Sequence, residues 1–146
     1  MSHLVNDNAF RYIGVNQKRS IRLSVSNDAF YSPSGDYIQV PCREQYQEAN
    51  EFYSTLFHEM IHSTGYKSRL NRLTTGADAR FGSQIYSKEE LCAELGSAMI
   101  LNQIGIETPE TFTNSAAYIQ SWLKVLANDN KFLINIGEKF SIFFFI

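Results

Sequence analysis

Phe57-His58-Glu59-Met60-Ile61-His62-Ser63-Thr64-Gly65 (FHEMIHSTG) places two histidines four residues apart with a glutamate directly after the first, the order H-E-x-x-H, inside a stretch of helical periodicity. Residues four apart on a helix stack on one face, so both imidazoles reach one metal ion and Glu59 lies beside its water. A catalytic zinc uses three protein ligands in a tetrahedral shell and leaves the fourth position open. His58 and His62 would supply two. The ion lowers the pKa of a water from about 15.7 toward about 7, and Glu59 would then act as general base as hydroxide attacks a polarised carbonyl. The competing reading is an ordinary helix whose ring nitrogens bond to neighbours or water. The chain has only three histidines, and two fall in this register, which favours the metal site.

The flanking residues support a helix flooring a cleft. At about 100° per residue, Phe52, Tyr53, Leu56, Phe57, Met60 and Ile61 cover roughly half the circumference and require a core. His58, Glu59 and His62 fall on the other half. The helix is expected to begin at Glu44 or Glu48, to run to Thr64 and to stop at Gly65.

The third ligand has several candidates. The longer motif H-E-x-x-H-x-x-G-x-x-H is followed through Gly65 but has Ser68 where the last His is needed. A second helix, predicted over Lys88–Gln103 and ended by Gly105, carries Glu90 and Glu94 on one face beside an apolar stripe of Leu91, Leu95, Ala98 and Met99. Glu90 is the preferred ligand, with Glu94 holding a histidine ring through its other nitrogen. Against this, Ser87 to Glu90 also reads as a capping box at the start of the helix. Asp78 and Glu89 are the alternative ligands. Tyr66, Arg69 and Arg72 follow the zinc helix and are candidates for oxyanion stabilisation or for gripping a substrate carboxylate or phosphate, with solvated loop residues as the competing reading. His3 is read as a terminal residue without a role.

The rest of the chain sets the frame. With 146 residues the chain is long enough for one domain (1–146) with a core that needs no disulfides. Hydrophobic residues at 44% and a net charge of −2 fit a soluble globular protein and do not advertise a nucleic-acid surface. Cys42 and Cys92 match neither a disulfide framework nor a metal knuckle and are read as packed, reduced thiols. The N-terminus lacks the features of a signal peptide or membrane span, so a cytoplasmic location is the expectation. Alternation in Ile21–Val25 and Asp36–Pro41 around a turn at residues 32–35 suggests an antiparallel hairpin, with Asp36–Val40 as an edge for an extended peptide. A loop over Tyr66–Tyr86 would rim the cleft. A third helix over Ser115–Asn128, with the stripe Tyr118, Ile119, Trp122, Val125 and Leu126, would cover the first two. The apolar run Phe140–Ile146 is too short to cross a bilayer and is read as a packed tail or an aggregation liability.

With these residues in place, the chain resembles the zincin-like metallopeptidase domain of ArdC-type antirestriction proteins and related polyvalent proteins of plasmids and phages. The resemblance rests on AFYSPSGDYIQVP (29–41), FYSTLFHEMIHSTG (52–65), SRLNR (68–72), FGS (81–83), YSKEELCAELGSAMI (from 86) and AAYIQSWLKVLAND (from 116), and covers about residues 21–131. It implies a small α+β fold of the gluzincin type, with an antiparallel sheet packed on the H-E-x-x-H helix and two further core helices. It also implies zinc held by His58, His62 and Glu90, with Glu59 as catalytic base. Two positions depart from the family pattern. Tyr66 stands where a histidine is usual, outside the implied ligand set, and residues 132–146 do not follow the Ala-rich closing helix.

The expected function is zinc-dependent peptide hydrolysis on a protein or peptide substrate, in the setting of plasmid or phage transfer. The longer family members place a DNA-binding domain, and with it single-stranded DNA, next to this one. The alternative is a catalytically silent, zinc-stabilised module that contacts restriction proteins or DNA. A third possibility is attack by the same chemistry on an ester or a phosphate.

Overall fold

Strands come first and helices follow in the computed structural model, which describes residues 20–73, 84–106 and 109–125. The strands are β1 (Ser20–Ser24), β2 (Phe30–Ser32) and β3 (Tyr37–Pro41). After a single 3-10 turn at Arg43–Gln45 come the helices α1 (Ala49–Thr64), α2 (Gln84–Gln103) and α3 (Pro109–Val125). The result is an α+β arrangement of a small mixed sheet and three helices.

The pairing of the strands differs from the hairpin expected. The sheet order is β1-β3-β2, with β1 parallel to β3 (Ile21 opposite Ile38, Leu23 opposite Val40) and β2 antiparallel to it (Tyr31 opposite Ile38). β3 is therefore the central strand, and the Asp36–Val40 segment is no edge. Among the described strands β1 and β2 hold the edges, and the three residues of β2 are too few to show a period-two pattern. Ile38 and Val40 turn one face of β3 inward onto α1 and are fully buried.

α1 buries the half its periodicity marks, with Phe52, Tyr53, Leu56, Phe57, Met60 and Ile61 all in the core. Its start is fixed by Glu48, whose N–H donates to Glu51 Oε2 at 3.4 Å. α2 begins at Gln84, before the expected Lys88, so Ser87 lies inside the helix and is buried, which excludes it as an N-cap. Its core face is Leu91, Cys92, Ala93, Ile100 and Leu101, while Met99, expected on the apolar stripe, is 40% exposed. Ser97 Oγ donates to Ser54 O at 3.0 Å, a small residue letting α1 and α2 approach closely. α3 opens on Pro109, suited to a first helical turn whose N–H groups lack intrahelical partners, and packs on α2.

Two glycines end helices for different reasons. Gly105 has φ +71°, and the Ile106 N–H to Leu101 O and Gly105 N–H to Asn102 O bonds close a Schellman motif at the end of α2. Gly65 keeps a right-handed φ of −75°. What it lacks is room, because a Cβ there would lie 2.9 Å from Leu73 Cγ.

Cys42 and Cys92 are not disulfide-bonded, and Cys92 is buried. No described helix is long and apolar enough to cross a membrane. His3, Asp78, Leu126, the expected end of α3 at Asn128 and the apolar run at 140–146 lie outside the described residues, as do the side chains of Tyr118, Trp122 and Val125.

Candidate metal centre

α1 sets His58 and His62 one turn apart on the side facing α2, and α2 brings Glu90 between them. The two Nε2 atoms are 3.1 Å apart. Glu90 Oε2 lies 3.5 Å from His58 Nε2, and Glu90 Oε1 lies 3.4 Å from His62 Nε2. A tetrahedral site with metal–ligand arms of about 2.0–2.1 Å has ligand–ligand edges of about 3.4 Å. The three residues thus form a group whose donor atoms fit one first-row divalent ion.

The outer ring nitrogens explain why the inner ones converge. His58 Nδ1 lies 3.3 Å from Glu94 Oε2, and His62 Nδ1 lies 3.2 Å from Glu89 Oε1. Each Nδ1–H donates to its carboxylate, which leaves both Nε2 lone pairs aimed toward Glu90. Acceptors facing acceptors at such distances require a proton or a cation between them. Glu94 takes the place expected of it. Glu89, considered above as a ligand, instead pairs with the outer nitrogen of His62.

Arg72 secures that second carboxylate. Its Nη2 and Nε reach Glu89 Oε1 and Oε2 at 2.9 and 3.1 Å, while Nη2 and Nη1 also donate to Ile61 O and Thr64 Oγ1. This bidentate grip ties α2 to the end of α1. Glu89 is partly desolvated, but hydrogen bonds to His62 and Arg72 outweigh burial and hold its carboxyl below the ordinary range.

Without a metal, the cluster traps protons. Burial alone would lower the His58 pKa, yet hydrogen bonds to Glu90 and Glu94 raise it to about 10. Burial disfavours ionisation of Glu90, and its hydrogen bonds to the two imidazoles outweigh that and hold it well below the carboxylate range. With 3.1 Å between the Nε2 atoms, one ring donates to the other, so we assign one shared proton there and not two.

Glu59 is 8% exposed on the same helix. Burial pushes its carboxyl above the ordinary value, against the pull of His62 and His58. A cleft of about 440 Å³ opens over these groups. Ala29, Phe30 and Tyr31 line it from the β2 side, His58, Glu59 and His62 from α1, and Ile85, Tyr86, Glu89 and Glu90 from α2.

Two of the expected substrate contacts lie elsewhere. Arg69 donates to Asp36, Tyr31 and Ser63 and lines no part of the cleft, and Tyr66 is half-buried beneath it with the guanidinium 4.5 Å from its ring centroid. Tyr31, Tyr86 and the outer role of Glu89 were missed by sequence reasoning. The one signal for Glu89 was its place directly before Glu90, about 100° around the same helix and so able to flank the histidine pair.

Similarity to known proteins agrees with this arrangement. The family model described as a zincin-like metallopeptidase (MPTase-PolyVal) matches residues 9–138. DNA primase TraC of Escherichia coli is 40% identical over 110 residues, which cover 75% of this chain and 10% of TraC. The uncharacterised protein y4eC of Sinorhizobium fredii is 37% identical over 113 residues, covering 77% of this chain and 36% of that protein. Among solved structures, the Mn(II)-bound antirestriction protein ArdC of plasmid R388 superposes with a TM-score of 0.69 at 36% identity, over 96% of this chain and 48% of ArdC. Its metal-free form gives a TM-score of 0.60 over 89% of this chain. The chain thus spans about half of the solved relative and between 10% and 36% of these two curated ones. A family match over residues 9–138, with a solved plasmid protein of the same architecture at 36% identity, establishes that this chain belongs to the zincin-like metallopeptidases.

Proposed function

We propose that this chain is a zinc-dependent peptidase domain in which His58, His62 and Glu90 hold the ion and Glu59 is the general base. The observation that carries this reading is the convergence of acceptor atoms from three residues, with contacts of 3.1–3.5 Å, beside a buried carboxyl at the floor of an open cleft. A two-histidine, one-carboxylate donor set suits zinc and binds it more tightly than manganese, the metal seen in the ArdC relative. When bound, a divalent ion acidifies water and polarises a carbonyl.

The chain's own residues do the rest. Glu59, its pKa raised by burial, accepts a proton from the attacking water and delivers it to the leaving nitrogen of the peptide. Glu94 and Glu89 fix the tautomer of the two rings, and Arg72 keeps Glu89 ionised. β2 pairs with β3 along one side only among the described strands, and the residues lining the cleft include Phe30 and Tyr31. Its other side offers backbone groups to a substrate strand. The favoured substrate is therefore a protein segment in extended conformation. The similarity to the antirestriction protein ArdC of a plasmid and to DNA primase TraC supports extending the proposal to a cytoplasmic activity in the setting of plasmid or phage transfer, beside a DNA-binding part of a longer protein.

The test pairs metal content with cleavage. Purified wild-type chain is expected to hold one zinc per molecule and to cleave labelled casein. Glu59→Gln should keep the zinc and lose at least about 100-fold in kcat, whereas Glu90→Ala should lose the zinc. A zinc-loaded wild type that cleaves nothing, with Glu59→Gln indistinguishable from it, would establish the silent binding module instead.

A further inference from the structure

Among the large apolar side chains that the described residues expose, Leu23, Val25, Met99 and Phe112 lie away from the cleft, while Phe30 and Ile85 line it. A single exposed apolar side chain is ordinary on a protein surface. Two from different elements in the wall of one cleft are the usual lining of a ligand pocket. Phe30, 36% exposed, belongs to β2, and Ile85, 40% exposed, to the first turn of α2. Ala29, Pro33 and Leu73 extend the apolar lining. The Phe30 ring packs edge-on against Tyr37 with centroids 6.0 Å apart, which holds it in place before any ligand arrives.

The charged groups of the same cleft are already engaged. Arg72 donates through Nε, Nη1 and Nη2 to Glu89, Thr64 Oγ1 and Ile61 O. Glu89 also pairs with His62, and the two histidines converge on Glu90 at the proposed metal position. Glu59, the remaining carboxyl, is 8% exposed and presents little of itself to a substrate side chain. A Lys, Arg, Asp or Glu side chain entering here would lose water without meeting an exposed, uncommitted partner of opposite charge among the described lining residues. A large apolar side chain gains by leaving water. An extended segment paired along the open side of β2 would set the side chain opposite Phe30 on Phe30's own face of the sheet. We infer that Phe30 and Ile85 are specificity-determining residues, and that the cleft selects an extended protein segment with a large, uncharged apolar side chain, aliphatic or aromatic. The inference rests on the cleft being the substrate site of the proposed peptidase.

The experiment uses four fluorescein-labelled hexapeptides, identical except for two central residues that are Leu-Phe, Ser-Ser, Lys-Lys or Glu-Glu. Binding is followed by anisotropy on the metal-loaded Glu59→Gln chain, and kcat/KM is measured on the wild type. The Leu-Phe peptide should bind roughly tenfold to 100-fold more tightly than each of the others and exceed them in kcat/KM by a similar factor. Phe30→Ser and Ile85→Ser, built into the Glu59→Gln chain, should each lower that preference roughly threefold to tenfold, with the affinity for Ser-Ser and the metal stoichiometry unchanged. Phe30→Leu, which keeps an apolar side chain, should keep most of the preference. Because Phe30 also packs on Tyr37, Ile85→Glu supplies a variant that spares the sheet. A first helical turn tolerates a carboxylate, and the Lys-Lys peptide should then bind several-fold more tightly than it does to the parent chain.

Four peptides that bind alike, or not at all, would overturn the inference. So would a Leu-Phe preference that survives intact in the folded Phe30→Ser and Ile85→Ser variants. Equal cleavage of all four by the wild type would sink the selectivity and leave the peptidase standing. Selective binding with no cleavage by the wild type would keep the selectivity and sink the peptidase reading.

Discussion

Glu89 and Glu94 make no direct approach to the centre, but each controls a histidine that does. Removing such an outer carboxylate typically weakens metal binding about 10–100-fold. Glu94→Ala and Glu89→Gln are each expected to fall in that range, measured by competition with a chromophoric zinc chelator, and Glu89→Gln should also leave Arg72 without its ion pair. Wild-type affinity in both variants would deny them any hold on the rings. The inner residues were legible in the sequence because an i, i+4 pair on a helix is a local rule, as is the shared face of Glu90 and Glu94. Glu89 was read only as an alternative ligand because its partner depends on how α2 is rolled against α1. That roll is set by the burial of Leu91, Cys92 and Ala93 against residues about thirty positions away, and no local pattern encodes it. Arg69 failed for the same reason, its carboxylate partner lying 33 positions earlier in the chain.

Helices α1 and α2 end on glycines that respond differently to the same substitution. At Gly105, nothing lies within 4 Å of an added Cβ, so Gly105→Ala meets only the left-handed φ and should cost about 1–2 kcal/mol. At Gly65, φ is ordinary and the added methyl meets Leu73 at 2.9 Å and Arg72 Nη2 at 3.3 Å. Gly65→Ala should cost about 1–3 kcal/mol by overpacking. Urea unfolding of the double variants separates the two causes: Leu73→Ala should offset part of the Gly65→Ala loss and none of the Gly105→Ala loss. If Leu73→Ala simply adds to both, close packing is not what demands glycine at residue 65. At this scale the sequence yielded α1 nearly to the residue, since six large apolar side chains mark its buried half. It yielded the sheet poorly. Alternation marks β1 and β3 as strands but says nothing of direction or neighbours, and β2 is too short to alternate, so the parallel β1–β3 pairing and the true edges emerged only from long-range contact.

Sheet, α1 and α2 meet around the proposed centre, so loading it should report on the stability of the molecule as a whole. In the metal-free chain, His58 has its pKa raised from 6.5 to about 10, so the stability it contributes is complete below about pH 6.5 and fades as pH rises toward 10. Glu90, held below its ordinary 4.5, contributes stability that is complete above that value and is lost as pH falls through its folded-state pKa. The metal-free protein therefore draws most from this cluster between about pH 4.5 and 6.5. Zinc reverses the trend. Because the ion and the proton compete for the same ring nitrogens, its affinity rises with pH, and a ligand that binds only the folded state stabilises it by about 4 kcal/mol at a thousandfold excess over Kd. The gap in Tm between zinc-loaded and chelator-treated protein should thus widen steadily from about pH 6.5 to about pH 8.5, as loading displaces the shared proton. Calorimetric titration in buffers of different ionisation enthalpy should count about one proton released per zinc at neutral pH. A gap that stays constant or narrows over that window, with no proton released, would mean that the ion binds somewhere other than between His58, His62 and Glu90.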